Sequence, residues 1–309
     1  MVSASQRAPR CFSPIVCGLV LGVASFAFAQ SVKPGVLLLA HGGAEEWNAR
    51  VLDVAKTVDG VRPTEVAFGM ASRRSIQGAI DRLAARGVTE IVAVPLFVSS
   101  WSSVITATEY LLGVRAEAPA ELAIFAKMNH GALSSADVQD HSSQDRGNSL
   151  ARVTTTFPIR MTEAFNHHPL IGGVVIDRAR SLSRSPRKEA VILVAHGPVP
   201  DEDNQRWLAD LHLLAKQVED AIPFAAVEGI TLRDDAGPRL REAVTQELRT
   251  LVQRHVVAGR RVLIVPHLLS FGGIEAGLRK RLEGLDYHMA TQGLIPDPRI
   301  AQWVLLKLQ

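Results

Sequence analysis

The sequence predicts an α/β protein of two similar domains, each a small parallel sheet flanked by helices. Three observations carry this. Gly35-Val-Leu-Leu-Leu-Ala-His41-Gly42 and Ala190-Val-Ile-Leu-Val-Ala-His196-Gly197 are nearly the same segment. Each is an unbroken apolar run, the signature of a strand buried on both faces of a parallel sheet. Around each run, short apolar segments alternate with stretches of helical spacing, as parallel sheets with right-handed crossovers require.

In the first half, Gly35 to Ala40 reads as a strand and Ala44 to Val58 as a helix through Trp47, Val51, Val54 and Ala55. Glu65 to Gly69 is the second strand. Ser72 then caps a helix running to about Arg86, because its hydroxyl can accept from a free amide of the first turn. Thr89 to Pro95 is a third buried strand, followed by the small-residue loop around Ser99 and Ser100 and a helix ending near Leu112. Phe157 to Met161 and the stretch from His168 to Arg178 close the half as strand and helix.

The second half repeats this order. Val191 to Ala195, Ala225 to Ile230, Arg261 to Pro266 and Tyr287 to Met289 read as strands. Asp201 to Ala221, Pro238 to His255 and Pro296 to Val304 read as helices, and Leu269 to Gly273 takes the loop position. The polar run from Leu182 to Lys188 reads as the linker, giving domains 30–183 and 184–309. A Ser-, Asp- and Gln-rich stretch at about 129–152 has no partner in the second half and reads as a polar insertion, since such a composition cannot bury a core.

Residues 1–29 carry Arg7 and Arg10, an apolar run and Ala27-Phe-Ala29, the pattern of a secretory signal peptide. The expected location is therefore periplasmic or secreted, with no stable membrane span after cleavage. Removing the segment lowers Lys+Arg from 34 to 32 against 31 Asp+Glu, so the net charge of +3 becomes +1. That near balance gives no footprint for nucleic acid. Cys11 and Cys17 leave with the signal, and any metal must then be held by His, Asp, Glu or water.

His41 and His196 stand at the carboxyl ends of their strands, where open α/β sheets build ligand sites. The following Gly permits a sharp turn that leaves the ring uncovered. Other chemistries lack their motifs. Ala40 and Ala195 stand where a histidine phosphatase needs Arg, and the chain has no Gly-x-Ser-x-Gly elbow, P-loop, Gly-x-Gly-x-x-Gly or His-Glu-x-x-His.

An apolar strand ending in His-Gly, an Asn seven or eight residues later (Asn48, Asn204), a strand ending Val94-Pro-Leu-Phe-Val-Ser-Ser100 and a closing His168-Pro-Leu segment together resemble the sirohydrochlorin chelatases, the class II tetrapyrrole chelatases of the CbiX/SirB type. The resemblance implies two chelatase-like domains facing across a cleft. It also implies insertion of Co²⁺ or Fe²⁺, with Ni²⁺ or Zn²⁺ as further candidates, into a tetrapyrrole, with no organic cofactor. An exported metal- or tetrapyrrole-binding protein on the same scaffold is the alternative.

By this resemblance His41 and His196 match the family's first metal-binding histidine. The second histidine's positions hold Ser103 and Ile274, and His267 and Glu275 are the substitutes at hand, each with a plain alternative as strand-end packing or helix capping. His41, His196 and His267 are thus the expected metal ligands, with Glu275 beside the two strand-end histidines in catalysis. Ser99, Ser100, Arg73 and Arg233 are the expected tetrapyrrole contacts, since guanidinium groups pair with carboxylates.

Overall fold

Two four-stranded parallel sheets form the frame of the protein, seen in a computed structural model that describes residues 1–2, 32–128 and 150–309. The first sheet runs β2-β1-β3-β4, with β1 at Pro34–Ala40, β2 at Thr64–Phe68, β3 at Glu90–Pro95 and β4 at Ile159–Met161. The second runs β6-β5-β7-β8, with β5 at Glu189–Ala195, β6 at Ala226–Thr231, β7 at Arg261–Pro266 and β8 at His288–Met289. One strand order, used twice, is the repeat in three dimensions. The expected signal peptide and most of the polar insertion lie outside the described residues.

Nine helices stand among the described residues: α1 at Glu45–Asp59, α2 at Arg73–Ala85, α3 at Ser103–Leu111, α4 at Leu122–Met128, α5 at Pro169–Leu182, α6 at Asp201–Ala221, α7 at Pro238–Val257, α8 at Ile274–Arg281 and α9 at Pro298–Leu306. Pro begins α5, α7 and α9, where its missing N–H costs no hydrogen bond. The short α4 has no counterpart in the sequence reading; Leu122 and Phe125 anchor it on the outer core.

Side chains alternate across each sheet because successive residues of a strand point to opposite faces. In β1, Leu37 and Leu39 face the outer layer of α2, α3 and α4, whereas Val36, Leu38 and Ala40 face the middle of the molecule. In β5, Ile192 and Val194 face α7 and α8, whereas Val191, Leu193 and Ala195 face the middle. The two inner faces share one continuous apolar cluster with α1, α5, α6 and α9. Val32–Gln309 accordingly forms one compact unit.

The closing helices are exchanged between the halves. α5 ends the first half but packs on α6 and β7 of the second. Its neighbourhood is pinned there: Gln217 donates to the His167 carbonyl at 2.8 Å and Arg261 to the Leu182 carbonyl at 2.7 Å. α9 ends the second half but packs on α1. Lys307 reaches Glu163 at 2.7 Å, and Arg160 beside it donates to the Lys307 carbonyl at 3.0 Å. Where the two exchanged helices meet, Arg299 joins Asp177 to Asp297.

Trp303 on α9 is fully buried, edge-on to Phe165 of the first half with ring centroids 4.6 Å apart. Trp303→Ala should therefore destabilise the whole molecule by about 3–5 kcal/mol. Urea denaturation should still show a single transition, because both sheets share one core. Two separable transitions in either protein would contradict the shared core.

Candidate functional site

Both strand-end turns need a left-handed glycine. Gly42 and Gly197 have φ of +81° and +75°, values that favour Gly over any residue with a Cβ. At Gly197 a Cβ would also collide with Thr231. Each turn is then braced by the asparagine of the following helix. Asn48 exchanges two hydrogen bonds with Gly43, accepting from its N–H at 2.9 Å and donating to its carbonyl at 3.1 Å. Asn204 accepts from Thr231 Oγ1 at 2.7 Å beneath the second turn.

The two imidazoles presented by these turns differ in their partners. His41 is exposed, and its Nδ1 lies 2.7 Å from the Gly42 carbonyl. A carbonyl only accepts, so Nδ1 carries a proton toward it. His196 instead lies between two carboxylates. Its Nε2 is 3.0 Å from Asp235 Oδ2 and its Nδ1 3.4 Å from Asp234 Oδ2. Burial works against the charged ring, but the two aspartates prevail and push its pKa up to about 9.

Asp235 is the carboxylate bonded to His196 Nε2. The His196 hydrogen bond holds its pKa below the usual carboxylate range against the opposing effect of burial, and the charges of His196 and His41 add to this. Asp234 is fixed from behind by Arg281 on α8, which also donates to the Leu232 carbonyl at 3.1 Å. Neither aspartate was singled out in the sequence reading. The available signal was Arg233-Asp-Asp235 after the second strand of the second half, where the first half has Met70-Ala-Ser72.

A second repeat went unread. Glu46-x-Asn48-x-Arg50 and Glu202-x-Asn204-x-Arg206 open α1 and α6. In both, Glu and Arg pair one turn apart, and the Arg crosses to the other half. Arg50 donates to Ser270 Oγ at 3.0 Å, while Arg206 stacks over the Trp101 ring at 4.5 Å. The neighbouring tryptophans follow suit: Trp47 lies against Gly272 and Trp207 donates to the Trp101 carbonyl at 2.5 Å. Each half's first helix thus holds the other half's third-strand loop.

The structure gives several expected site residues other partners. Glu275 does not join the histidines: its carboxylate accepts from the Gly272 and Gly273 amides at 3.0 and 2.9 Å, capping its own helix. Arg233 is 7% exposed and bound to the Pro198 and Val199 carbonyls and Asp201, so its guanidinium is held within the second strand-end loop. Arg73 donates to the Arg152 carbonyl at 3.2 Å. Ser99 and Ser100 accept from the Trp101 and Ala164 amides and so shape the third-strand loop.

His267 follows the end of β7, the strand beside β5, and burial pushes its pKa down to about 4. Its Nδ1 has no hydrogen-bond partner among the described residues. His168 caps α5 by accepting from the Leu170 amide at 3.2 Å. Ser103 and Ile274 are the first residues of α3 and α8, so they occupy equivalent places. Among the described residues, no three His, Cys, Asp or Glu side chains are grouped closely enough to hold a metal ion as they stand. The expected convergence of His41, His196, His267 and Glu275 is therefore absent from this arrangement. Burial of His267 and the capping geometry of Glu275 are the reasons.

Comparison with known proteins follows this geometry. Residues 35–182 match the CbiX family model. A sirohydrochlorin cobaltochelatase of Methanothermobacter thermautotrophicus is 36% identical over 73 residues, which are 23% of this chain and 51% of that relative. The chain thus spans about half the length of the curated relative it matches. SirB of Bacillus subtilis, solved with Fe³⁺, shares the fold with a TM-score of 0.57 at 16% identity, over 90% of this chain and 94% of its own. A multi-domain protein of Deinococcus radiodurans with structural similarity to chelatases matches at 0.51 and 18%, over 90% of this chain and 55% of its own.

The charge on His196 stabilises the fold fully below pH 6.5, and that contribution is lost as pH rises through about 9. Asp235→Asn should return the His196 pKa toward the ordinary value of 6.5. Proton NMR titration of the imidazole checks this, and a ring that still titrates near pH 9 in the variant would remove Asp235 from the account.

Proposed function

Because residues 35–182 match the CbiX family model, we propose that the protein inserts a divalent metal ion, Co²⁺ or Fe²⁺, into a sirohydrochlorin-type tetrapyrrole. The observation that carries this reading is the strand-end His196 paired with Asp235, with His41 at the equivalent end of the first sheet's central strand. Imidazole and carboxylate suit these metals, and also Ni²⁺ or Zn²⁺, without the tight hold of a thiolate. An incomplete ligand set fits a metal that is delivered onward rather than kept.

The residues divide the work by charge. His41 Nε2 offers a lone pair to the arriving ion. The ionised Asp235 attracts it, and the ion displaces the proton that His196 carries at neutral pH. Metal uptake then competes with that proton, so binding tightens as pH rises and levels off near pH 9. When the ion passes to the macrocycle, two pyrrolic protons must leave. The vacated His196 imidazole accepts one of them and water the other, which returns the His196 side to its starting charge.

A second reading rests on Ser103 and Ile274, the first residues of α3 and α8 in place of the family's second histidine. On that reading the protein holds metal or tetrapyrrole without turnover. With the signal-peptide reading of residues 1–29, either activity is proposed for the periplasm or the cell exterior.

Mixing the protein with sirohydrochlorin and Co²⁺ or Fe²⁺ should change the pigment's absorbance faster than a protein-free control. His41→Ala and His196→Ala should each slow insertion about tenfold or more, whereas the exposed His212→Ala should stay within about twofold. Equal effects of all three would remove the strand-end site, and a bound-pigment spectrum without turnover would favour the carrier.

A further inference from the structure

A cavity of about 750 Å³ opens at the opposite end of the second sheet, lined in part by Ser183, Arg184, Arg261, Arg279, Tyr287 and His288. Topology brings these residues together. The linker leads into β5, Arg261 starts β7, and the chain descends from α8 past Tyr287 into β8, so all lie at the amino-terminal edge of the strands. His196 follows the carboxyl end of β5. The length of that strand, about 20 Å, separates the cavity from the histidine site.

The arginines of the cavity are not all paired. Arg261 is matched: it donates to Glu189 Oε1 at 2.9 Å, and Glu189 is 1% exposed, with its other oxygen taken by Ser183. Among the described residues, the guanidinium groups of Arg184 and Arg279 make no hydrogen bond or ion pair. Glu275, one turn before Arg279, has one carboxylate oxygen already accepting from two backbone amides. Two guanidinium forks without direct partners among the described residues, a phenol and an imidazole therefore line one concave space.

Other cations at the amino-terminal ends of the strands are matched by carboxylates. In the first half Arg86 pairs with Asp59 and Glu65, and Arg82 pairs with Glu65; at the corresponding place in the second half Arg254 and His255 pair with Glu228 at 2.5 and 2.7 Å. Around the cavity, Arg184 and Arg279 have no such partner among the described residues. Guanidinium groups recognise carboxylate and phosphate through paired parallel hydrogen bonds, and a volume of this size accommodates a small organic molecule.

We propose that this cavity binds a small polyanion carrying at least two carboxylate or phosphate groups, at a site separate from the histidine pair. Isothermal titration of the metal-free protein with pyrophosphate and, separately, with citrate tests it at about 0.1 M salt, where surface attraction is screened. Saturable binding of at least one anion is expected, and the tighter arm assigns phosphate or carboxylate.

Arg184→Ala and Arg279→Ala should each weaken that binding about tenfold or more. Both side chains are exposed and unpaired among the described residues, so thermal melts of the variants should match the parent. His41→Ala should leave anion affinity unchanged. No saturable binding of either anion, affinity indifferent to both arginine variants, or binding lost in His41→Ala would each overturn the proposal.

Discussion

Everything at the carboxyl ends of the strands depends on the apolar layer sealed between the two sheets. Sheets twist and helices slide unless their apolar faces are interlocked, and dense packing is what denies them that freedom. Here the layer is built from both halves at once, with α5 and α9 each lying against the half that did not make them. The two central strands are therefore held in a fixed mutual position, and their terminal histidines with them. The functional geometry is a property of the shared layer rather than of either loop.

On that base, local hydrogen bonding decides how each ring is presented. Left-handed glycines turn the chain, asparagines lock the turns, and the ring that follows β1 is left to solvent while the ring that follows β5 is gripped by carboxylates. The same turn thus yields a solvent-facing imidazole in one half and an imidazole held between two carboxylates in the other. Electrostatics separates two residues that sequence and backbone make equivalent.

Much of the frame was legible in the sequence because it rests on period and repetition. Unbroken apolar runs marked the central strands, His-Gly marked their ends, and Ser72 and His168-Pro169 marked helix starts that the structure also has. What was not legible were relations between side chains distant in sequence. Asp234 and Asp235 went unremarked because only folding sets them against His196, 38 and 39 residues earlier in the chain. Glu275 read as a candidate base because its spacing could not show that two glycine amides would take it. The crossing of Arg50 and Arg206 required knowing that the halves exchange their last helices, and no periodicity encodes that.

The helix exchange binds two halves as closely as two subunits of an obligate dimer, with one difference. Identical subunits related by a two-fold axis must show the same residue on both sides of that axis. A single chain escapes the constraint, since each copy of a position can change alone while the shared layer keeps the pair assembled. An aspartate pair beside His196, where the first half has Ala71 and Ser72, is an arrangement no homodimer of this fold can hold. A chain that carries both halves can be directional, with one histidine open to solvent, the other gripped by carboxylates, and a reverse face of its own.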